Sequence, residues 1–538
     1  MGWCKKITKE LDVVKDDSNY DEGLITHSLS TVAKGAGVLF FAMIMGIIFN
    51  FIARIIIARF YTPDDYGLFN LFFTILTIFT GVAVLGLGSG IPRFIGFHIG
   101  SGEKHKIKPI EGWALLIGMV SSIVFSVLLF LLAPWIAPIF SKKNVFIDYL
   151  KIAAVALPFS VLLNSLITIF RGHQRVKERV LFYDFGMNIA FLIFSFIISI
   201  LALPFVGVIW SMFAAVTIMS ILFLIYYLKK QESLLKNVGS YSLDLSLGKK
   251  ILMFSLPLIL VDFVQQAVGW TATLMIGYYI SASAVGFFQV ASPLAISIIT
   301  GLTVSGFMYT PLASSLYSQH KINENKQIYS ILTKWICFLT LPLAMVLFFF
   351  SEVIISTFFG AEYISASIPL KILTIAFFFN TVTGPDGSTL IAYGKTKFLL
   401  YVSSLTAVIN FILCLILIPT YGIIGAAYAN GISVVLINIL RISKLYSISG
   451  VHSLKPENIK PIVSTIIFGS ILIIALMYLP IPNILQVIIA FVLLSILYFI
   501  SILFTRSVSK QDVNLLELVE KKIGINLSFL KRLLIKFV

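Results

Sequence analysis

The sequence predicts an all-α polytopic membrane protein with fourteen transmembrane helices. Two six-helix lobes are expected, related by a parallel internal repeat with a pseudo-two-fold along the membrane normal, and followed by two C-terminal helices. Three observations carry this prediction. Of the 538 residues 59% are hydrophobic and 12% charged, the mean hydropathy is +1.00, and apolar runs of 18 or more residues recur from residue 36 to residue 505. Runs of that length cross a bilayer as helices, and the alternation of outer-membrane strands is absent. The basic residues are divided unequally between the two faces these spans define. The first half of the chain also matches the second at an offset of about 220 residues.

The elements follow in order. Residues 1–35 carry "KKITKELDVVKDDSNYDE", charged and lacking the apolar stretch of a cleavable signal peptide, and are expected to be a cytoplasmic segment. The first lobe, 36–228, holds spans at 36–58, 67–91, 113–140, 150–170, 182–203 and 208–228. The short "FYTPDDYG" joins spans one and two, "SKKNVFID" joins three and four, and the basic "RGHQRVKER" joins four and five. Residues 229–250, including "KKQESLLKNVGS", read as a cytoplasmic linker. The second lobe, 251–440, holds spans at 251–278, 286–310, 329–350, 366–390, 399–418 and 423–440, with "GAEYISAS" between the third and fourth of these. In 441–505 a cytoplasmic loop, "RISKLYSISGVHSLKPENIK", leads to spans at 461–480 and 484–505. The tail 506–538 has apolar residues at helical spacing and late basic residues. It reads as an amphipathic helix on the cytoplasmic leaflet, with a partner-docking helix as the competing reading.

With these spans, 33 of the 40 Lys and Arg lie in the two termini and the loops on their side, three in the opposite loops and four within spans. Basic residues resist translocation, so both termini are expected in the cytoplasm and the protein in the cell membrane. The net charge of +16 is then a topology signal and not a nucleic-acid footprint, because the basic residues are spread over separate segments and form no stripe. Cys4, Cys337 and Cys414 lie far apart and suggest neither a metal site nor a disulfide framework. No GxxxxGK[ST] motif indicates ATP use, and no cofactor is expected.

The repeat is read from matches that occur in the same order in both halves. "ARFYTPDDYGLF" (58–69) matches "IGYYISASAVGFF" (276–288), Pro92 matches Pro311, and "YLKIAAVALPF" (149–159) matches "PLKILTIAFFF" (369–379). "FRGHQR" (170–175) matches "AYGKTK" (392–397), Asn188 matches Asn410, and "LPFVGVI" (203–209) matches "IPTYGII" (418–424), with offsets of 215 to 222. Six spans per half is an even number, so the halves share an orientation and a site at their interface is expected, with access alternating as one lobe rocks against the other.

"ARFYTPDDYGLFNLFFTI", "GLGSGIPRFI" (86–95) and "IPTYGIIGAAYANGIS" (418–433) resemble the polysaccharide and oligosaccharide-lipid flippases of the multidrug/oligosaccharidyl-lipid/polysaccharide exporter superfamily, over roughly residues 30–505. The resemblance implies twelve core helices in two lobes, often with two more, and movement of isoprenoid-linked sugars from the cytoplasmic to the outer face.

Polar residues inside the spans mark the candidate site, since intramembrane charge is costly. Asp262 lies about 11 residues into span seven, roughly 16 Å along the helix and near the midplane. Gln265 and Gln266 share its face. Through the repeat Asp262 corresponds to Ile44, and Arg54 of span one corresponds to Ala272. Asp262 reads as an ion-coupling acid that trades a proton or Na⁺, or as a neutral acid bonded between helices. Arg54 reads as a holder of the carrier's phosphate or as a snorkelling anchor, and Gln265 and Gln266 as cavity residues. In "FFFNTVTGPDGSTLIAYG", Gly384, Pro385 and Gly387 break span ten around Asp386, a hinge with a second candidate ion site or a structural kink. Asn164, Asn188, Asn380 and Asn410 read as interhelical hydrogen-bonders.

The expected function is a flippase for isoprenoid-linked oligosaccharide working by alternating access, coupled to H⁺ or Na⁺, and not an enzyme. Membrane lipids and other glycan-biosynthesis proteins are candidate partners. The rivals are a multidrug exporter of the same superfamily and an integral-membrane polymerase or glycosyltransferase; the outer loops are too short for the latter's catalytic groups.

Overall fold

The computed structural model describes residues 44–141, 143–234, 245–452, 456–505 and 507. The expected N-terminal segment 1–35, and the expected amphipathic tail apart from Ser507, lie outside the described residues. Helices make up the described chain, with no strand among those residues. Eleven are long and apolar enough to cross a membrane, or twelve when one bent pair counts as a span.

The first half contains α1 (44–60), α2 (Pro63–Ala83), α3 (Leu87–Gly100), α4 (Ile107–Phe140), α5 (Val145–Gly172), α6 (Lys177–Ile200) and α7 (Val206–Leu234). The second contains α8 (Leu245–Tyr279), α9 (Ala282–Ile296), α10 (Thr300–Ser318), α11 (Ile322–Phe349), α12 (Ser351–Phe358), α13 (Ser367–Thr383), α14 (Asp386–Ala392) and α15 (Thr396–Ser449). The last two, α16 (Pro456–Met477) and α17 (Asn483–Phe504), pair with each other and pack on α11.

The start of α2 shows how local chemistry fixes an element. Thr62 Oγ1 accepts from the Asp65 N–H, Pro63 takes the first helical position and Asp64 and Asp65 face the positive end of the dipole. The start of α9 repeats this cap, with Ser281 Oγ accepting from the Ala284 N–H.

Several spans depart from straight rods. The expected span 67–91 starts earlier, at Pro63, and breaks where Leu85 and Gly86 both take positive φ, 51° and 70°. It resumes as α3 and ends at Gly100. Within α6, residues Val180–Met187 form a π-helix, whose wider turn is a frequent mark of function. The bend in α8 is 56° at Gln265, next to Asp262. Expected spans eleven and twelve run together as the 54-residue α15, broken at Gly422 with φ 60° and ψ −137°. The expected linker 229–250 is shorter than predicted: α7 continues to Leu234 and α8 begins at Leu245. Polarity misled here, because Lys230 is consumed by an ion pair with Glu178 at 2.7 Å that extends the helix beyond its apolar core.

Within the first half α5 is central, packed by α2, α3, α4 and α7; within the second, α13 and α15 pack together and α8 lies along α15. The halves meet where α2 crosses α9 and where α3 lies against α8. At the first crossing two glycines, Gly67 and Gly286, let the backbones touch. A Cβ on Gly67 would overlap the Ala282 carbonyl, and one on Gly286 would overlap the Pro63 carbonyl. The contact is reciprocal, and at its edge Ser283 Oγ donates to Asp64 at 3.2 Å, a pair 219 residues apart. Lys143 completes the cluster through an ion pair with Asp64 at 2.5 Å.

Candidate functional site

Arg54 is the charge that the first half builds around. It is half-buried on α1, where Gly46 allows α1 to approach so closely that a Cβ would land on the Asp184 carbonyl of the π-helix. A polar ladder climbs from that contact. Asn188 Nδ2 donates to the Asp184 carbonyl at 2.6 Å, and Asn50 Nδ2 donates to Asn188 Oδ1 at 3.0 Å. Arg54 Nε then donates to Asn50 Oδ1 at 2.9 Å, and Nη1 to Asn70 Oδ1 at 2.9 Å. Asn70 in turn donates to the Tyr66 carbonyl at 2.7 Å, and the guanidinium lies 5.9 Å from the centre of the Phe73 ring. Among the described residues no carboxylate forms an ion pair with Arg54. The side chain therefore turns into the bundle, tied to α2, and holds a positive charge whose two partners are neutral amides.

Asp262 lies elsewhere, at the seam of α3 and α8. Gly86 and Gly90 bring α3 onto Ser255 of α8, and Arg93 stacks over the Phe254 ring at 4.6 Å. Asp262 is half-buried there, with Ser89 of α3 beside it and Arg171 at the end of α5 within its electrostatic reach. It thus touches the first half from the second. Gln266 is exposed beside the bend, and the Gln265 side chain lies outside the described residues. Arg54 and Asp262 engage different partners.

Span ten is interrupted between α13 and α14. Gly384 takes φ 81°, α13 ends before it and α14 starts after Pro385. Asp386 is buried, and its Oδ1 accepts from the Gly387 N–H at 2.5 Å. Its Oδ2 and Arg441 Nε are buried without a hydrogen-bond partner among the described residues. A Cβ on Gly387 would lie 3.6 Å from the Arg441 guanidinium, so Asp386 sits beside a fixed positive charge. Asn410 bonds across to Asn430 at 3.0 Å and Asn164 bonds within its own helix to the Ser160 carbonyl.

Sequence reasoning missed three features. Asn50 and Asn70 were not singled out, although Asn50 stands four residues before Arg54 on one helix face. Arg59, at the end of α1, crosses to the other half: its Nε donates to the Phe358 carbonyl at 2.9 Å and Nη2 to the Ser356 and Thr357 carbonyls, at the C-terminus of α12. Glu111, buried on α4, accepts from the Tyr227 hydroxyl at 2.8 Å and contacts His173 Nε2 at 2.5 Å, tying α4 and α7 to the α5–α6 turn.

Comparison with known proteins supplies the context. A family model described as polysaccharide biosynthesis protein matches residues 56–368. The chain is 24% identical over 408 residues to a probable low-salt glycan biosynthesis flippase, Agl15, of Haloferax volcanii, covering 75% of this chain and 81% of that protein. It is 22% identical over 416 residues to an uncharacterized membrane protein, MJ1068, of Methanocaldococcus jannaschii, covering 70% and 76%. Among solved structures, the lipid II flippase MurJ in an inward closed conformation superposes with TM-score 0.70 at 18% identity, covering 86% of this chain and 98% of that one. An inward-facing multidrug resistance MATE transporter superposes with TM-score 0.60 at 19% identity, covering 77% and 99%.

Proposed function

Because the chain belongs to the polysaccharide biosynthesis protein family, as a multi-pass membrane protein with the fold shared by MurJ and MATE transporters, we propose that it is a flippase for isoprenoid-linked oligosaccharide. It carries the sugar headgroup from the cytoplasmic to the outer leaflet of the cell membrane, by alternating access, with both termini in the cytoplasm. The observation that carries this reading is Arg54, a half-buried guanidinium held by amide oxygens at 2.9 Å and left without a carboxylate among the described residues. A planar fork of donors with an uncompensated charge suits a phosphate or pyrophosphate. The relatives that carry the word flippase in their names support the same cargo class.

The fourteen-span, two-lobe architecture belongs to this reading. It is supported by the break of α15 at Gly422, since 54 residues are about 81 Å of helix, far beyond one bilayer crossing. The reciprocal Gly67 and Gly286 contact supports the internal repeat. In the transport cycle the α2–α9 crossing and Arg59 close the outer end, and opening requires both to part. Asp262 couples the cycle to H⁺ or Na⁺: it lies on α8 at the seam with α3, beside Ser89, so loading it with an ion changes the charge at the contact between the halves. Asp386, beside Arg441, serves the Gly384–Pro385–Gly387 hinge rather than a cation, which the guanidinium would repel. A multidrug exporter of the same superfamily is the second reading, favoured by the MATE likeness.

Reconstituted vesicles carrying a short-chain isoprenyl-pyrophosphoryl sugar test the proposal. Protein-dependent movement of the sugar between leaflets, accelerated by an imposed H⁺ or Na⁺ gradient in wild type but not in Asp262→Ala, is expected. Movement that ignores every gradient in both proteins would remove the coupling role, and no movement at all would remove the flippase.

A further inference from the structure

Arginines inside helical bundles are ordinarily held by carboxylates, which orient the guanidinium and cancel its charge together. Around Arg54 these two effects are separated. Asn50 Oδ1 holds Nε and Asn70 Oδ1 holds Nη1, each at 2.9 Å, so two neutral amides orient the guanidinium where an acid would also neutralise it. Neither amide is free to turn over. Asn50 Nδ2 is committed to Asn188 Oδ1 at 3.0 Å, and Asn70 Nδ2 to the Tyr66 carbonyl at 2.7 Å, so each must present its oxygen to Arg54. The ladder spends amide dipoles to fix Nε and one Nη1 proton, and leaves the other guanidinium protons and the full positive charge for something else.

We infer that Asn50 and Asn70 are positioning residues for anion capture: they aim the Arg54 guanidinium while keeping it un-neutralised, and Asn188 and the Tyr66 carbonyl lock their orientation. This rests on the phosphate-holding role of Arg54 proposed above and extends it to residues that touch no substrate. The inference makes a sharp distinction between shape and charge. Asparagine to aspartate keeps the oxygen that Arg54 uses and adds one negative charge within bonding distance of it. The change also removes the Nδ2 donor to Asn188 or to the Tyr66 carbonyl, a loss that Asn70→Ser shares without adding charge, so the effect of charge is read as the difference between the aspartate and serine variants.

The test measures binding of two probes to the purified protein in nanodiscs, geranylgeranyl pyrophosphate and uncharged geranylgeraniol, at two salt concentrations. Wild type, Arg54→Ala, Asn70→Asp, Asn50→Asp and Asn70→Ser are compared, with thermal unfolding as the check on folding. Among the folded protein, Asn70→Asp and Asn50→Asp are expected to bind the pyrophosphate roughly ten- to a hundredfold more weakly than wild type, with a flatter salt dependence. Their binding of the alcohol stays unchanged. Asn70→Ser, which loosens Arg54 without cancelling its charge, loses less and keeps the salt dependence. Pyrophosphate binding at wild-type strength in both aspartate variants, while Arg54→Ala loses it, would overturn the inference and leave the Arg54 role standing. Equal binding in wild type and Arg54→Ala would overturn both.

Discussion

Gly67→Ala puts one methyl group where the two halves touch most closely. The added Cβ would overlap the Ala282 carbonyl and stand 3.1 Å from the Gly286 nitrogen. Both obstacles are backbone, which cannot rotate away as a side chain would, so the crossing helices must separate. Overpacking of this kind costs about 1–3 kcal/mol. The cost arises only while α2 and α9 are in contact, so it falls on the state with this end closed and spares any state in which the helices have parted. The closed-to-open ratio is therefore expected to drop by roughly five- to 150-fold. Spin labels at Asp148→Cys and Glu362→Cys, exposed positions on the two sides of that end, report the separation by electron–electron resonance in nanodiscs. The labelled proteins carry Cys4→Ser, and Cys337 and Cys414 are buried and do not compete for label. A longer-distance population that grows in Gly67→Ala is expected. Gly286→Ala should produce the same shift, and the double variant less than the sum, because one separation relieves both overlaps. An unchanged distance distribution in a folded Gly67→Ala protein would refute the reasoning.

Arg59→Ala removes the donors to the α12 carbonyls. Since the contact is exposed, it should shift the same label distances toward the open state by about 1 kcal/mol, less than Gly67→Ala. Glu111→Gln should lower the unfolding midpoint by an amount equivalent to about 1–3 kcal/mol, because a buried carboxylate serving His173 and Tyr227 is replaced by an amide; an unchanged midpoint counts against the buried network. In the turn after α3, hydrogen bonds from Lys106 and then His98 hold the Glu103 carboxyl below its usual 4.5. A depressed carboxylate contributes stability above its unfolded value and loses it as pH falls through the lowered one. The extra amide protection of 101–106 in wild type over Glu103→Gln should thus persist at neutral pH and vanish below pH 4.5. Asp262→Ala should leave folding intact and abolish the response of transport to an ion gradient.

Much of the fold was legible because lipid imposes a simple rule: every span must be long and apolar, and the breaks must be polar or contain Gly and Pro. The Gly384–Pro385–Asp386–Gly387 break could be read letter by letter, since the residues that end a helix are local. The break at Leu85 and Gly86 could not, because Gly86, Gly88 and Gly90 follow one another without marking which of them ends the helix; α8 packed on the other side does, with Ser255 occupying the space a Cβ on Gly86 would need. The bend at Gln265 and the extension of α7 likewise depend on neighbours in space. Arg54 and Asp262 announced themselves as charges in apolar runs. Asn50 and Asn70 stayed silent, because their meaning depends on what else touches Arg54, and uncharged amides in spans are common.

The central claim is that this protein moves an anionic lipid headgroup and that Arg54 receives it. The most direct test is a competition in the same vesicles, offering an isoprenyl-pyrophosphoryl sugar and a cationic dye together to wild type and to Arg54→Ala. The account predicts that wild type moves the sugar lipid and not the dye, and that Arg54→Ala moves neither. Export of the dye by both proteins, with the sugar lipid left where it was placed, would contradict it.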